Sequence, residues 1–337
     1  MTDSQTEHRY RNRLLTLIST VLLIGALKEA FAVVMPIAFA AIIVAALWSL
    51  KRRLAQYMPS WLAYTLTLLS LVAILGAFAA AVYLSIGQVI AALTANWSSL
   101  EKGFGQLAGW AAEHGVPIAG TINRQRIMAL LQMLAGGVYG FVTYVGFIGI
   151  IVMLGLPEVP RLKRRLYEMM GNGDRGELLT VGEDISAQVR RYLGTTLATS
   201  ILTGIASALW SWMTGLELAL VWGILNFLLN FVPVIGNIVG IVPPVLFAFV
   251  QFGGWQMSTI VFVGFVILQL TISNVVYPLL QGKQLSLSPL AIIIAMTFWS
   301  WVWGIGGALI AVPLTAAIVI ICGQFDRSRW ICKLLSA

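Results

Sequence analysis

The sequence predicts an all-α, polytopic membrane protein with about eight membrane segments, two of them broken or re-entrant helical hairpins in the C-terminal half. Three observations carry that prediction. Of the 337 residues 59% are hydrophobic and only 10% charged, against about 25% charged in a soluble domain. Continuously apolar runs near the ~20 residues that cross a bilayer recur along the chain, which excludes a β-barrel, whose strands alternate apolar and polar positions. The net charge of +8 sits at the ends of those runs rather than on one soluble face, so no nucleic-acid partner is expected.

Arg9, Arg11 and Arg13 precede an apolar stretch from Leu14 to Leu27, extending to about residue 33, and a second run over 34–50 ends at Lys51, Arg52 and Arg53. Ala30-Phe31-Ala32 resembles a signal-cleavage site, but the apolar character resumes after it, so 1–60 reads as an uncleaved transmembrane hairpin. Region 61–156 holds spans at 61–86 and 133–156. Between them, 87–132 is dotted with Asn96, Glu101, Lys102, Glu113, His114 and Asn123, a pattern of extracytoplasmic amphipathic helices on or above the outer face. Residues 157–191 form a charged cytoplasmic linker. There Leu178, Val181, Ile185, Val189 and Tyr192 recur at helical spacing, with Glu177, Glu183, Asp184, Arg190 and Arg191 on other faces, predicting an amphipathic helix that leads into the next span.

A core region over 192–323 follows, made of a span at 192–214, a broken segment at 218–252, a span at 255–277 and a second broken segment at 289–323, with a tail at 324–337. Of the 21 basic residues, all but Lys28, Lys102, Arg124 and Arg126 fall on one side of this arrangement. The positive-inside rule therefore places both termini in the cytoplasm. Cys322 and Cys332 form no CxxC or Cys/His grouping, so neither a metal centre nor a disulfide framework is expected, and no cofactor.

Between Glu217 and Asp326 the sequence holds no Asp, Glu or His, and Lys283 is the sole charge. Ion relays inside membranes rest on buried ionisable groups, so a binding site here must use amides, hydroxyls, rings and backbone, which suits a neutral polar solute. In WGILNFLLNFVPVIGNIVGIVPPVLFAF, Asn226 and Asn230 lie one turn apart on a shared face, and Asn237 follows. Pro233, Gly236, Gly240, Pro243 and Pro244 interrupt the helix there. Freed backbone at membrane depth is tolerated only against protein or a water-filled cavity, and such breaks point to a transporter's site. The same residues also serve as packing kinks and interhelical glue.

The second broken segment opens at Ser288-Pro289, a helix start with Pro in the first turn. It turns near Gly304 and Gly306 and continues through Pro313. Each broken segment follows one long span, and the charge pattern starts the two pairs on opposite sides, the layout of a degenerate inverted repeat. Trp299 and Trp303 share a face before the turn and read either as interfacial belt residues or as a stacking platform for a solute. Asn274, Pro278 and Gly282 gather where the span over 255–277 leaves the membrane, a candidate hinge or cytoplasmic gate.

Four stretches make a family resemblance: VWGILNFLLNFVPVIGNIVGIVPPVL, NVVYPLLQGKQLSLSP, FWSWVWGIGGALIAVPLT and the lead-in ending RRYLGTT. Together they resemble the autoinducer-2 exporter family of PerM-type bacterial permeases. The resemblance implies a bacterial inner-membrane transporter, a homo-oligomer with a pentamer as one assembly, and a mobile part carrying solute against a fixed scaffold. Tyr277 and Leu279 stand where family members often carry Glu and Arg, so a role resting on that ion pair does not transfer.

The sequence thus favours alternating-access transport of a small polar solute, and the resemblance implies that the solute is autoinducer-2 and that it is exported. Asn226, Asn230, Asn237 and Asn274 would supply amide contacts, and the tryptophans a cover. A sodium/proton antiporter is the alternative, though its proton carrier would have to be Glu183, Asp184 or Glu217. A non-transporting membrane scaffold is the third reading. Catalysis is not expected, since the apolar core holds no HExxH, GxSxG, paired Asp or Cys/His set.

Overall fold

The computed structural model describes residues 3–95, 97–98, 101–102, 105, 109, 124–169, 175–232, 235–281, 288–324, 329 and 335. Among the described residues every regular element is helical. In order they are α1 (Asp3–Glu29), α2 (Phe31–Leu54), α3 (Ser60–Ala95), α4 (Arg124–Met169), α5 (Arg175–Met213), α6 (Ala219–Leu229), α7 (Ile235–Val239), α8 (Val242–Phe252) and α9 (Trp255–Thr271). A π-helical turn (Ile272–Val276), α10 (Tyr277–Gln281) and α11 (Pro289–Gln324) complete the chain. Six segments are long and apolar enough to cross a membrane, within α2, α3, α4, α5, α9–α10 and α11, and Ala219–Leu229 and Gly236–Phe252 are shorter apolar helices. The all-α, multi-pass class is therefore as the sequence predicts.

Two helices run on beyond the expected spans. Helix α3 continues past 86 to Ala95, and α4 begins at Arg124 rather than 133 and runs through the expected linker start to Met169. At 1.5 Å per residue these helices are ~54 and ~69 Å long, well beyond the ~30 Å hydrocarbon core. The edges of 87–132 are thus extensions of spanning helices, and Asn96, Glu113, His114 and Asn123 lie outside the described residues.

Pro157 and Pro160 sit inside α4 without ending it. A proline at 157 deprives the carbonyl four residues earlier of its helical donor. That carbonyl, Met153 O, instead accepts a hydrogen bond from Tyr64 Oη of α3 at 2.7 Å. The freed group is satisfied by a neighbouring span, as membrane burial demands.

The chain divides into two compact units, one of Met1–Val44, Leu154–Ile185 and Ser286–Ala337, the other of Ala45–Met153 and Ser186–Leu285. In the first, α11 is two helices in sequence, with Trp303 at φ −127°, ψ 17° and Gly304 at φ 63°, ψ −145° between them. Trp299 Nε1 donates to Thr315 Oγ1 at 3.0 Å, although a straight helix would separate these residues by ~24 Å. A Cβ on Gly307 would lie 1.9 Å from Trp299 O, so the second arm returns directly against the first. The chain doubles back here. Ser288 Oγ caps the start by accepting from Ala291 N–H at 3.2 Å, as the Ser-Pro pair predicts.

In the second unit, α6, α7 and α8 form the other hairpin. Helix α5 ends with Gly215 at φ 70° and Leu216 N–H donating to Ser211 O at 2.8 Å, a Schellman stop. Gln251 then closes the hairpin's base, its Nε2 donating to Gly215 O and its Oε1 accepting from Glu217 N–H, both at 2.8 Å. Leu216, Trp222, Phe247, Ala248, Val261 and Phe265 form a core against which Trp210 packs. Pro243 and Pro244 fall in the first turn of α8, so they open that helix rather than interrupt one, because its first donors need no partner.

Candidate functional site

The first hairpin is held between α5 and α9 by close backbone approach at one end and amides at the other. A Cβ on Gly223 of α6 would lie 2.7 Å from both Gly204 O and Ala208 Cβ of α5. Only small residues let membrane helices come this near. Helices α5 and α9 also meet directly: a Cβ on Gly264 of α9 would lie 2.0 Å from Trp210 of α5, and Trp210 Nε1 donates to Val261 O at 3.3 Å.

Asn226 is 1% exposed and fully occupied. Its Nδ2 donates to Trp222 O at 3.0 Å in its own helix and to Gly240 O at 3.2 Å beyond the tip. Its Oδ1 accepts from Gln269 Nε2 of α9 at 2.9 Å. One amide therefore ties both arms of the hairpin to a spanning helix. Gly240 leaves room for it, since a Cβ there would lie 2.4 Å from Asn226 Oδ1. Gln269, also buried, keeps its Oε1 without a partner among the described residues.

This asymmetry sets a stability prediction. Asn226→Leu strands Gly240 O and the Gln269 amide, whereas Gln269→Leu strands only Asn226 Oδ1. Each buried orphan costs about 1–3 kcal/mol, so thermal unfolding in detergent should show the larger fall for Asn226→Leu. Equal midpoints would deny Asn226 its clamping role.

Asn230, one turn on, faces a different partner. Its Nδ2 donates to Ser200 Oγ at 2.9 Å and Thr199 Oγ1 at 3.3 Å, and its Oδ1 accepts from Thr203 Oγ1 at 3.4 Å. These belong to a stripe on α5 of buried Thr195, Thr196, Thr199, Ser200, Thr203, Ser207 and Ser211. The opposite face exposes Leu197, Ile201, Ile205, Leu209 and Trp212. Among the described residues the Ser207 and Ser211 hydroxyls have no hydrogen-bond partner. Sequence reading missed this stripe and Gln269, although hydroxyls three and four apart along one face of a span are a visible signal.

Asn237 Nδ2 of α7 donates to Ser273 Oγ at 2.6 Å, docking the hairpin tip on the π-helical turn that follows α9. Tyr277 N–H donates to Ile272 O, five residues back. The wider ring directly precedes Pro278, which α10 contains without a break, and π turns recur at functional sites. Gly236 packs under the tip, where a Cβ would lie 1.7 Å from Leu229 O.

Three amides thus converge on the contact of hairpin, α5 and α9, and the fourth does not. Asn274 is exposed and its Nδ2 donates to Leu270 O of its own helix at 3.0 Å. Trp299 and Trp303 belong to the other unit, each 7% exposed with ring centroids 4.9 Å apart. Their indole N–H groups serve Thr315 Oγ1 and Leu27 O, the latter at 2.9 Å. Gly306 lies against Met35 in that unit, and Pro313 sits inside the second arm of α11. Pro233 and Gly282 lie outside the described residues.

The chain is 31% identical over 221 residues to the AI-2 transport protein TqsA of Escherichia coli K12, covering 65% of this chain and 63% of that protein. A Borreliella burgdorferi protein, provisionally named a transport protein, is 29% identical over 58% of this chain and 53% of its own. Each of these two matches spans less than two thirds of the relative's length. A Haemophilus influenzae protein of the same provisional name is 25% identical over 91% of each chain. The model of the AI-2E family transporter matches residues 17–327. That match takes in both hairpins and every helix that holds them, and it makes this chain a member of the AI-2E family of membrane transporters.

Proposed function

We propose that the chain exports a small, uncharged polar solute across the bacterial inner membrane, and that autoinducer-2 is that solute. Both termini face the cytoplasm, and the working form is a homo-oligomer, a pentamer in the family's pattern. The observation that carries the reading is the polar seam around Asn230. No charged ligand is needed there, because the amide meets only hydroxyls, from Thr199, Ser200 and Thr203. A polyhydroxylated solute exchanges hydrogen bonds with such groups one for one, which keeps the cost of desolvation low.

Asn230 and Asn237 are the solute-facing amides in this proposal, and Asn226 with Gln269 positions them. Transport proceeds by alternating access. Nothing in the seam calls for catalysis.

The test is flux of labelled autoinducer-2 in proteoliposomes, with and without imposed proton and sodium gradients. Saturable flux supports the proposal, and its gradient dependence names the coupling. No flux under any gradient, from folded protein, would overturn autoinducer-2 as the cargo. A sodium flux driven by the proton gradient would instead favour the antiporter reading.

A further inference from the structure

A contact between Arg190 and Ser49, the guanidinium Nη1 donating to the hydroxyl Oγ, brings the end of α2 to α5 within one unit. It gathers Lys51, Arg52 and Arg53, in the last turn of α2, beside Arg190 and Arg191. Arg52, Arg53, Arg190 and Arg191 are all exposed. Among the described residues no ion pair engages any of these five, while Arg161 and Arg164 are paired with Glu158 and Glu168. The acidic residues on the same helix, Glu183 and Asp184, lie ~9 Å or more before Arg190 along its axis, about one Debye length at physiological salt.

Apolar surface adjoins the cluster. Leu50, Leu197 and Ile201 are 41%, 45% and 47% exposed, and Trp48 lies under the Lys51 ammonium at 5.1 Å. Tyr57 and Trp61, in the turn that follows α2 and at the start of α3, are exposed as well. Cations over exposed aliphatic side chains, edged by aromatics, match a headgroup with its acyl chains rather than a free anion. The end of α2 and the middle of α5 supply two separate sets of cations, and a guanidinium pairs with a phosphate in a fixed fork.

We propose that this cluster is a binding site for an anionic phospholipid whose headgroup carries two phosphates, as in cardiolipin. One phosphate sits at Lys51–Arg53 and the other at Arg190–Arg191.

The experiment is native mass spectrometry of delipidated protein titrated with cardiolipin, phosphatidylglycerol or phosphatidylcholine. Wild type should retain cardiolipin in preference to both others. The triple variant Arg52→Gln, Arg53→Gln, Arg191→Gln should lose about 100-fold in cardiolipin affinity, the size expected for removing two to three surface cations. It spares the Arg190 contact, so its unfolding midpoint without lipid should match wild type. If it does not fold, Arg191→Gln alone serves, with a smaller loss. The pair Arg161→Gln, Arg164→Gln should change nothing. Equal retention of phosphatidylglycerol, equal loss in the control pair, an unchanged triple variant, or displacement by inorganic phosphate alone would each overturn the proposal.

Discussion

Asn230→Leu is expected to reduce solute flux to that of empty vesicles while lowering the unfolding midpoint by only about 2–4 °C. The small structural cost follows from where its partners go. Thr199 Oγ1 already donates to Thr195 O and Thr196 O, each at 3.0 Å, and Thr203 Oγ1 to Thr199 O at 2.8 Å. Both hydroxyls keep a partner when the amide is lost, and Ser200 can turn to its own helix in the same way. The net loss is that of an ordinary hydrogen bond, about 1 kcal/mol. The proposed solute has no such fallback. Unchanged flux from folded Asn230→Leu protein would remove this residue from the site.

Gly236→Ala should damage both fold and flux. The added carbon would stand 1.7 Å from Leu229 O and 2.5 Å from the carbon it is bonded to, where an ordinary contact to oxygen is about 3.3 Å. Backbone cannot swing aside as a side chain can, so the tip must open. Asn237 is the next residue, and its bond to Ser273 is lost with that movement. The cost of overpacking is about 1–3 kcal/mol or more, so the midpoint should fall further than for Asn230→Leu. Wild-type flux from Gly236→Ala would show that the closed tip is not needed for transport.

The breaks at the first hairpin and at Gly304 were legible, because proline and glycine act on the backbone of their own segment. Helix ends were less so. Hydropathy marks where a bilayer ends, and α3 and α4 continue past it as helix. Asn226 and Asn230 were read as one face with one role. The structure separates them, since one turn of helix between two neighbours sends the first to Gln269 and the second to Ser200. That division depends on what packs on each side, which no local pattern records. The hydroxyl stripe escaped notice for a related reason. Serine and threonine in spanning helices satisfy themselves by back-bonding, and they barely disturb an apolar profile.

The π-helical turn has a consequence for anyone numbering the face of this segment. A turn closed from residue 277 to residue 272 holds one residue more than its α-helical equivalent, which offsets everything after it by about 100°. A helical wheel drawn without interruption from Trp255 to Gln281 therefore assigns Tyr277 and its successors to the wrong side. Deleting one residue among Ile272–Val276 would restore ordinary winding and bring the wheel into phase. It would also swing the tail of the segment by a quarter-turn or more, and return Pro278 to a ring too narrow to receive it.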